Sequence, residues 1–221
     1  MFATWPCPGA DGARVPEYAL TIDRGRSQRL LIVPALFDEA NRLRRFTVEA
    51  MRALHRRGID SFLPDLPGTN ESLQPLAGQS LVGWRAAMAA AAIHFGATRV
   101  LTLRGGALLA PAGLPGWHYA PVSGAAVLRQ MIRVRLLAAR EAGRQESQTA
   151  LLAAGLSAGL TLGGYPLSAA MVSQLQDAEP GQLQLISQSD IGGAGLWLRA
   201  EPGEDTAQSE ALALIVAGVL A

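Results

Sequence analysis

The sequence LTLRGGALL, residues Leu101–Leu109, decides the fold class. Its first residues end a short apolar segment, Arg99–Leu103, that is typical of a buried strand, and the two glycines that follow predict a tight turn. Upstream, apolar runs at Tyr18–Ile22, Leu30–Pro34 and Ile59–Leu63 predict three further strands.

Amphipathic segments separate these strands. Apolar residues recur at helical spacing in Glu39–Arg57, which Gly58 ends, and Ser80–Phe95 is a second predicted helix that Gly96 ends. Strands that alternate with helices at this spacing predict an α/β fold with a mainly parallel sheet and helices on both faces.

The second half of the chain consists of shorter predicted elements. They are helices at Ala126–Ala142, Glu146–Ala154 and Ser168–Gln176, a Gly-rich hinge or strand at Gly159–Ser168, strands at Gln182–Ser187 and Gly195–Arg199, and a closing helix at Gln208–Leu220. We therefore expect one domain over residues 1–221, with a small helical cap over residues 126–176 after the sixth strand.

Composition excludes several classes of function. Hydrophobic residues make up 49% of the 221 residues, which is enough for a full core. Lys+Arg is 19 against Asp+Glu 18, so no excess charge is present to bind nucleic acid or an anionic membrane. All of the basic residues are arginine, which excludes a Schiff-base lysine, a P-loop lysine and a Ser–Lys catalytic pair.

Metal and cofactor motifs are also missing from the sequence. Cys7 is the only cysteine, and the three histidines (His55, His94 and His118) have no metal-ligand spacing. We expect no metal and no cofactor. The N-terminus lacks a secretory signal pattern, and the longest apolar runs are too short to span a bilayer, so we expect a soluble cytoplasmic protein without a membrane span.

The turn at Thr102–Gly106 occupies the place of the nucleophile in α/β-hydrolases. Those enzymes carry G-x-S-x-G between a strand and a helix, with small residues beside the strained serine. Gly106 supplies a small residue, but Arg104 stands at the nucleophile position. Because a guanidinium stays protonated, Arg104 is not a nucleophile.

A literal G-x-S-x-G occurs at Gly155–Gly159 and makes Ser157 an alternative catalytic candidate. The residues before it predict a helix rather than a strand, and no histidine follows His118. Asp190 stands where a triad acid would follow a late strand, but without a histidine it is typical of a turn-capping residue. We therefore expect no serine-hydrolase activity.

The polar loop after the strand Leu30–Pro34 predicts a pocket. In this fold the loop borders the site above the sheet, so Phe37, Glu39 and Asn41 should lie near Arg104 and Gly105. One interpretation is that Arg104 forms an ion pair that fills the position of the hydrolase active site, because buried arginines are usually paired. The other is that Arg104 binds a carboxylate or phosphate through its planar guanidinium.

Several motifs together resemble a known family, the second of the two exosortase A system-associated hydrolase families. The matching segments are PALFDEANRLRR at Pro34–Arg45, DLPGTNES at Asp65–Ser72, LRGGALLAP at Leu103–Pro111, APVSGAAVLRQMIRVRL at Ala120–Leu136 and GGYPLS at Gly163–Ser168. The resemblance covers roughly residues 30–168. The chain departs from the family pattern at Pro34–Phe37. It also departs at Thr102, where the family has glycine.

The resemblance implies an α/β-hydrolase fold and a Gram-negative bacterial source, with a gene that lies beside exopolysaccharide genes. It supplies no mechanism. Three functions stay open. The protein acts on an ester or acyl substrate, with Glu39 or Asp190 activating water; it binds an anionic small molecule at Arg104 without catalysis; or it binds a protein partner. The apolar closing helix leaves monomer and oligomer open.

Overall fold

A seven-stranded sheet forms the centre of the computed structural model, which describes residues 1–9, 12–199, 201 and 203–218. The strands are β1 (Phe2–Pro8), β2 (Arg14–Ile22), β3 (Arg29–Val33), β4 (Asp60–Pro64), β5 (Arg99–Leu103), β6 (Gly116–Tyr119), β7 (Leu160–Leu162), β8 (Tyr165–Leu167) and β9 (Gln184–Ile186). The sheet order is β1-β2-β4-β3-β5-β6-β9, while β7 and β8 form a separate antiparallel hairpin.

Strand directions follow from the connections. The N-terminal hairpin makes β1 and β2 antiparallel, and β2 also pairs antiparallel with β4. The strands β4, β3, β5, β6 and β9 are parallel to one another. Their carboxyl ends therefore meet at one edge of the sheet, where ligands bind in open α/β sheets.

Helices cover both faces of the sheet. They are α1 (Asp38–Arg56), α2 (Leu81–His94), α3 (Gly124–Glu141), α4 (Gln148–Ala158), α5 (Ala169–Asp177), α6 (Gln188–Ile191) and α7 (Thr206–Gly218). One core cluster packs under α1 and α7, and the other packs under α2, α3, α4 and α5. The expectation of a mainly parallel sheet flanked by helices on both faces is confirmed.

Serine side chains begin four of these helices. Each hydroxyl accepts a hydrogen bond from the backbone N–H three residues later and so satisfies a donor that the helix leaves unpaired. The four capping residues are Ser80, Ser123, Ser147 and Ser168. The cap at Ser123 starts α3 two residues before the predicted start of the helix.

The N-terminal strand β1 was not predicted, because its prolines hide the alternating pattern. Trp5 and Cys7 are buried while their neighbours face outward, as in any half-buried strand. Pro6 and Pro8 are tolerated because β1 is the edge strand and pairs only with β2.

Two predictions about the later elements need correction. The predicted strand at Gly195–Arg199 is wrong: Leu196–Leu198 is a single 3₁₀ turn, in which Leu196 and Trp197 are buried against the core instead of pairing with β9. The predicted helix at Glu146–Ala154 begins later and ends later, as Gln148–Ala158. The closing helix is described to Gly218, and its predicted end at Leu220 lies outside the described residues.

Left-handed backbone conformations concentrate at the carboxyl edge of the sheet. Among the described residues, four other than glycine have positive φ, and they follow β3, β4, β5 and β6 in turn. They are Phe37 at 55°, Asn70 at 49°, Arg104 at 52° and Ala120 at 44°. Such conformations are strained for side chains with a Cβ and cluster at functional sites.

None of the helices that the structure describes combines the length and the hydrophobicity needed to cross a membrane.

Replacement of Gly106 by alanine should destabilise the fold strongly. A Cβ at this position would lie 2.2 Å from the carbonyl oxygen of Pro34, so the turn after β5 and the end of β3 would have to separate. We expect Gly106→Ala to lower the free energy of unfolding by more than about 2 kcal/mol in chemical denaturation.

The matched control for this variant is Gly78→Ala. Its Cβ would meet only a side-chain atom of Pro75 at 3.9 Å, so we expect a change within about 0.5 kcal/mol. Equal losses in the two variants would contradict the close approach at Gly106.

Candidate functional site

Arg104 stands on the turn that directly follows β5. The strand ends at Leu103, and the positive φ of Arg104 turns the chain sharply into a 3₁₀ turn, Arg104–Leu109. Gly106 allows this turn because it packs directly on the backbone of Pro34. The arginine therefore occupies the apex that a nucleophile takes in a strand–turn–helix elbow.

Each of the three nitrogens of the Arg104 guanidinium donates a hydrogen bond to the protein. Its Nε and Nη2 donate to the two carboxylate oxygens of Glu39 at 3.1 and 3.0 Å, and Nη1 donates to the carbonyl oxygen of Ala120 at 2.9 Å. The guanidinium carbon also lies 4.0 Å from the ring centre of Trp197, a cation–π contact. The two side chains are only 13% and 16% exposed, so this is a largely buried bidentate ion pair.

A cavity of about 260 Å³ lies beside this ion pair. Apolar and aromatic side chains from the loop before α1, from α3 and the loop that precedes it, and from the β7–β8 hairpin form most of its wall. They are Leu36, Phe37, Val122, Ala126, Val127, Met131, Val134 and Tyr165. The ion pair therefore closes one end of a mostly apolar cavity and does not fill it.

The charged groups of this cavity compensate one another. Glu39 pairs with Arg104, and Arg42 pairs with Asp38 at 2.5 Å while it also donates to the carbonyl oxygen of Trp197. Each charge thus has a partner of opposite sign within hydrogen-bonding distance. The cavity offers an apolar environment without a net charge.

A second cavity of about 300 Å³ lies on the other side of two aromatic rings. Phe37 and Tyr165 line both cavities, and their rings pack edge to face at 5.4 Å. The Tyr165 hydroxyl accepts a hydrogen bond from Asn41 Nδ2 at 3.3 Å, which links the β7–β8 hairpin to α1. Burial raises the pKa of Tyr165 above its ordinary value, so its hydroxyl stays neutral.

The structure separates the residues of the predicted pocket. Phe37, Glu39 and Arg104 line the first cavity, whereas Asn41 faces the second, because positions two apart on a helix point in different directions. Gly105 lies behind the first cavity, where a Cβ would meet Leu36 at 3.1 Å.

Ser157 and Asp190 lie away from both cavities. Ser157 is exposed on α4, and its hydroxyl donates to the carbonyl oxygen of Ala154 at 3.0 Å. Asp190 caps α6: its carboxylate accepts from the backbone N–H and the hydroxyl of Ser187 at 2.7 and 2.8 Å. These two bonds hold the Asp190 pKa below its ordinary value. The two candidates do not form a catalytic arrangement with each other.

The three histidines lie outside the lining of the first cavity. His118 is buried between strands, where Nε2 donates to the Gly181 carbonyl at 3.1 Å and Nδ1 accepts from the Thr102 hydroxyl at 2.6 Å. His55 Nδ1 lies 2.9 Å from the Arg26 guanidinium at the end of α1, and His94 is exposed on α2. Within the described ranges, no histidine, serine or cysteine lines the first cavity, and no cluster of residues could hold a metal.

The sequence reasoning missed two important residues of the site, Trp197 and Tyr165. Each lies more than 60 residues from Arg104 along the chain, so only tertiary packing reveals the contacts. The one available signal for Tyr165 was the GGYPLS segment, which was noted without a role.

Similar solved structures identify the architecture. The bottromycin epimerase BotH in complex with bottromycin A2 has a TM-score of 0.56 at 17% identity, with 99% of both chains covered. The alpha/beta hydrolase domain-containing protein 10 from mouse has a TM-score of 0.55 at 9% identity, with 93% of this chain and 94% of that chain covered. Est1E from Butyrivibrio proteoclasticus with bound ferulic acid has a TM-score of 0.54 at 12% identity, with 96% of both chains covered.

The chain has the α/β-hydrolase fold. At these identities the likeness establishes the fold alone. Some other similar structures belong to longer proteins, of which this chain covers only 38% to 45%. No family model matches the sequence, and no curated protein is detectably similar to it.

Removal of the Arg104 guanidinium should cost stability, because Glu39 would keep a charge in a largely buried place. We expect Arg104→Met to lower the free energy of unfolding by about 3 kcal/mol, and the double variant with Glu39→Gln to recover part of that loss. Chemical denaturation measures both values.

An exposed ion pair provides the matched control. Arg52 pairs with Glu49 on α1 and is 58% exposed, so Arg52→Met should change the free energy of unfolding by less than about 1 kcal/mol. If Arg104→Met lowers the free energy of unfolding as little as Arg52→Met does, the buried pair contributes little to stability.

His118 should make stability depend on pH. Burial lowers its pKa from the ordinary value of 6.5. As the pH falls below about 6.5, the unfolded chain therefore binds a proton at this residue that the folded chain does not bind, and stability is lost. The free energy of unfolding should fall between pH 7.5 and 5 more steeply in the wild type than in His118→Gln.

The exposed His94 serves as the control for this measurement. We expect His94→Gln to keep the wild-type slope between pH 7.5 and 5. The idea fails if the slope is the same in His118→Gln and in the wild type.

Proposed function

We propose that this protein belongs to the exosortase and exopolysaccharide system of a Gram-negative bacterium and binds an apolar or acyl small molecule without serine-hydrolase chemistry. The motif resemblance at Pro34–Arg45, Leu103–Pro111 and Gly163–Ser168 supports the biological system. The cavity beside Arg104 supports the binding function, and a cytoplasmic location is part of the proposal.

One observation carries the proposal: the cavity beside the elbow is mostly apolar, and no serine, cysteine or histidine among the described residues lines it. Its titratable side chains are Asp38, Glu39, Arg42, Arg104 and Tyr165. Both Glu39 oxygens are held by Arg104, so this carboxylate is poorly placed to take a proton from water. A pocket of this size and lining suits an apolar body of roughly ten to fifteen heavy atoms.

Binding of an anion at Arg104 is a weaker proposal. The guanidinium donates three hydrogen bonds to the protein, and the Glu39 carboxylate already occupies the side on which a ligand carboxylate would bind. An incoming anion would have to displace Glu39 and leave its charge unpaired.

Hydrolysis of an ester or acyl substrate is the second candidate function. It is favoured by the family resemblance and by similar structures whose names refer to hydrolases. BotH, which is named an epimerase, shows that the same fold also carries other activities. A protein partner is the remaining alternative, and no observation on the described surface favours it over a ligand in the cavity.

Esterase assays should find no serine-dependent turnover. We expect p-nitrophenyl butyrate to be hydrolysed no faster than in buffer and Ser157→Ala to behave as the wild type, because Ser157 faces solvent on α4. A turnover that disappears in Ser157→Ala would overturn the proposal.

Binding of 1-octanol tests the cavity directly. Titration calorimetry should detect binding to the wild type, and Val127→Trp should raise the Kd about tenfold or more because the larger ring fills the cavity. The matched control is Val82→Trp at an exposed position of α2, which should leave the Kd unchanged. If octanol does not bind to the wild type, the proposed cavity function is wrong.

A further inference from the structure

The second cavity differs in chemistry from the first. It lies between the loop before α1 and the loop after β4, and it contains no charged side chain in its lining. Its polar side chains are Asn41, Thr69, Asn70 and Tyr165, which all carry neutral groups. A neutral polar group is therefore better suited to this cavity than an ion.

The hydrogen bonds already made by these side chains indicate what a ligand must supply. Asn41 donates to Tyr165, Thr69 donates to the carbonyl oxygen of Leu66, and Asn70 donates to Asp65 Oδ1 at 2.8 Å. Within the described part of the chain, the side-chain oxygens of Asn41, Thr69 and Asn70 accept no hydrogen bond. The Tyr165 hydroxyl accepts one bond and keeps its own proton to donate.

This combination of free acceptors and a free donor matches hydroxyl groups, since each hydroxyl both donates and accepts. The ring of Phe37 and the ring of Tyr165 add an aromatic wall, on which the C–H face of a sugar ring can pack. Neutral amide and hydroxyl side chains beside an aromatic wall are suited to a polyhydroxylated group.

The two cavities meet only at Phe37 and Tyr165. Phe37 is 5% exposed and is fixed by its packing on Trp84 and by its strained backbone, so it forms the floor between them. Tyr165 crosses above it from the β7–β8 hairpin and reaches α1 through one hydrogen bond of 3.3 Å to Asn41. A ligand that extends from one cavity to the other has to break this hydrogen bond and move the Tyr165 ring off Phe37.

We propose that the second cavity is a binding subsite for a hydroxyl-bearing head group, such as a sugar, of an amphiphile whose apolar tail lies in the cavity beside Arg104. This inference rests on the proposed function, because the tail uses the cavity proposed there. Tyr165 and Phe37 separate the two subsites. The junction between the apolar tail and the head group of the ligand would therefore lie beside these two rings.

The test compares n-octyl β-D-glucoside with 1-octanol, which shares its tail and lacks the sugar. Both are titrated into the full chain by calorimetry, below the concentration at which the glucoside forms micelles. We expect the glucoside to bind about tenfold more tightly than octanol, since two or more additional hydrogen bonds form in the second cavity.

Two variants remove the subsite groups one at a time. Asn41→Leu and Thr69→Val should each reduce the advantage of the glucoside about threefold or more and leave the Kd of octanol within twofold. Gln130→Leu is the matched control, because it replaces a polar side chain in the first cavity and should leave the advantage of the glucoside intact. A thermal melt of each variant confirms that it is folded.

The outcomes separate the two proposals. The subsite proposal is wrong if octanol binds and the glucoside binds no more tightly. It is also wrong if the tighter binding of the glucoside persists in both Asn41→Leu and Thr69→Val. In either case the proposed function still stands. If octanol does not bind, the proposed function is wrong. If the glucoside binds tightly and Val127→Trp does not change its Kd, the tail does not lie in the first cavity and the proposal that one ligand occupies both cavities is wrong.

Discussion

The buried ion pair between Arg104 and Glu39 is the interaction on which the site depends. It joins the strained turn after β5 to the first turn of α1, and the Ala120 carbonyl and the Trp197 ring complete the surroundings of the guanidinium. A guanidinium removed from water needs such partners, because the desolvation cost of an unpaired charge is large. The pair therefore fixes the relative positions of β5, α1, β6 and the turn that carries Trp197.

The apex of the turn after β5 carries different chemistry from the nucleophile turn of a serine hydrolase. In those enzymes the apex of the turn presents a hydroxyl to a histidine that activates it. Here the apex presents a cation whose charge is neutralised by Glu39 in the first turn of α1, and the buried His118 forms hydrogen bonds with Thr102 and Gly181 instead. The turn has the strand–turn–helix position of an elbow, and its apex residue takes part in a buried ion pair.

The cavities result from the way the helical segment after β6 covers the edge of the sheet. α3 supplies the outer wall of the first cavity, and the β7–β8 hairpin places Tyr165 between the two cavities. Because Phe37 takes a left-handed conformation, its ring turns into the cleft and packs on both Trp84 and Tyr165. The strain at the carboxyl edge of the sheet is thus concentrated where the ligand site is proposed.

The sequence alone determined the alternation of strands and helices, the turn at Arg104 and the absence of a late histidine, since these depend on local periodicity, on glycines and on residue identity. It also placed Glu39 near Arg104, because the loops after adjacent parallel strands meet at one edge. It could not show that Asn41 faces away, that Trp197 lies in a turn over Arg104, or that the ion pair leaves a cavity open. Tertiary structure decided these points, because they depend on the packing of segments distant in sequence, and a cavity is a property of that packing rather than of any one segment.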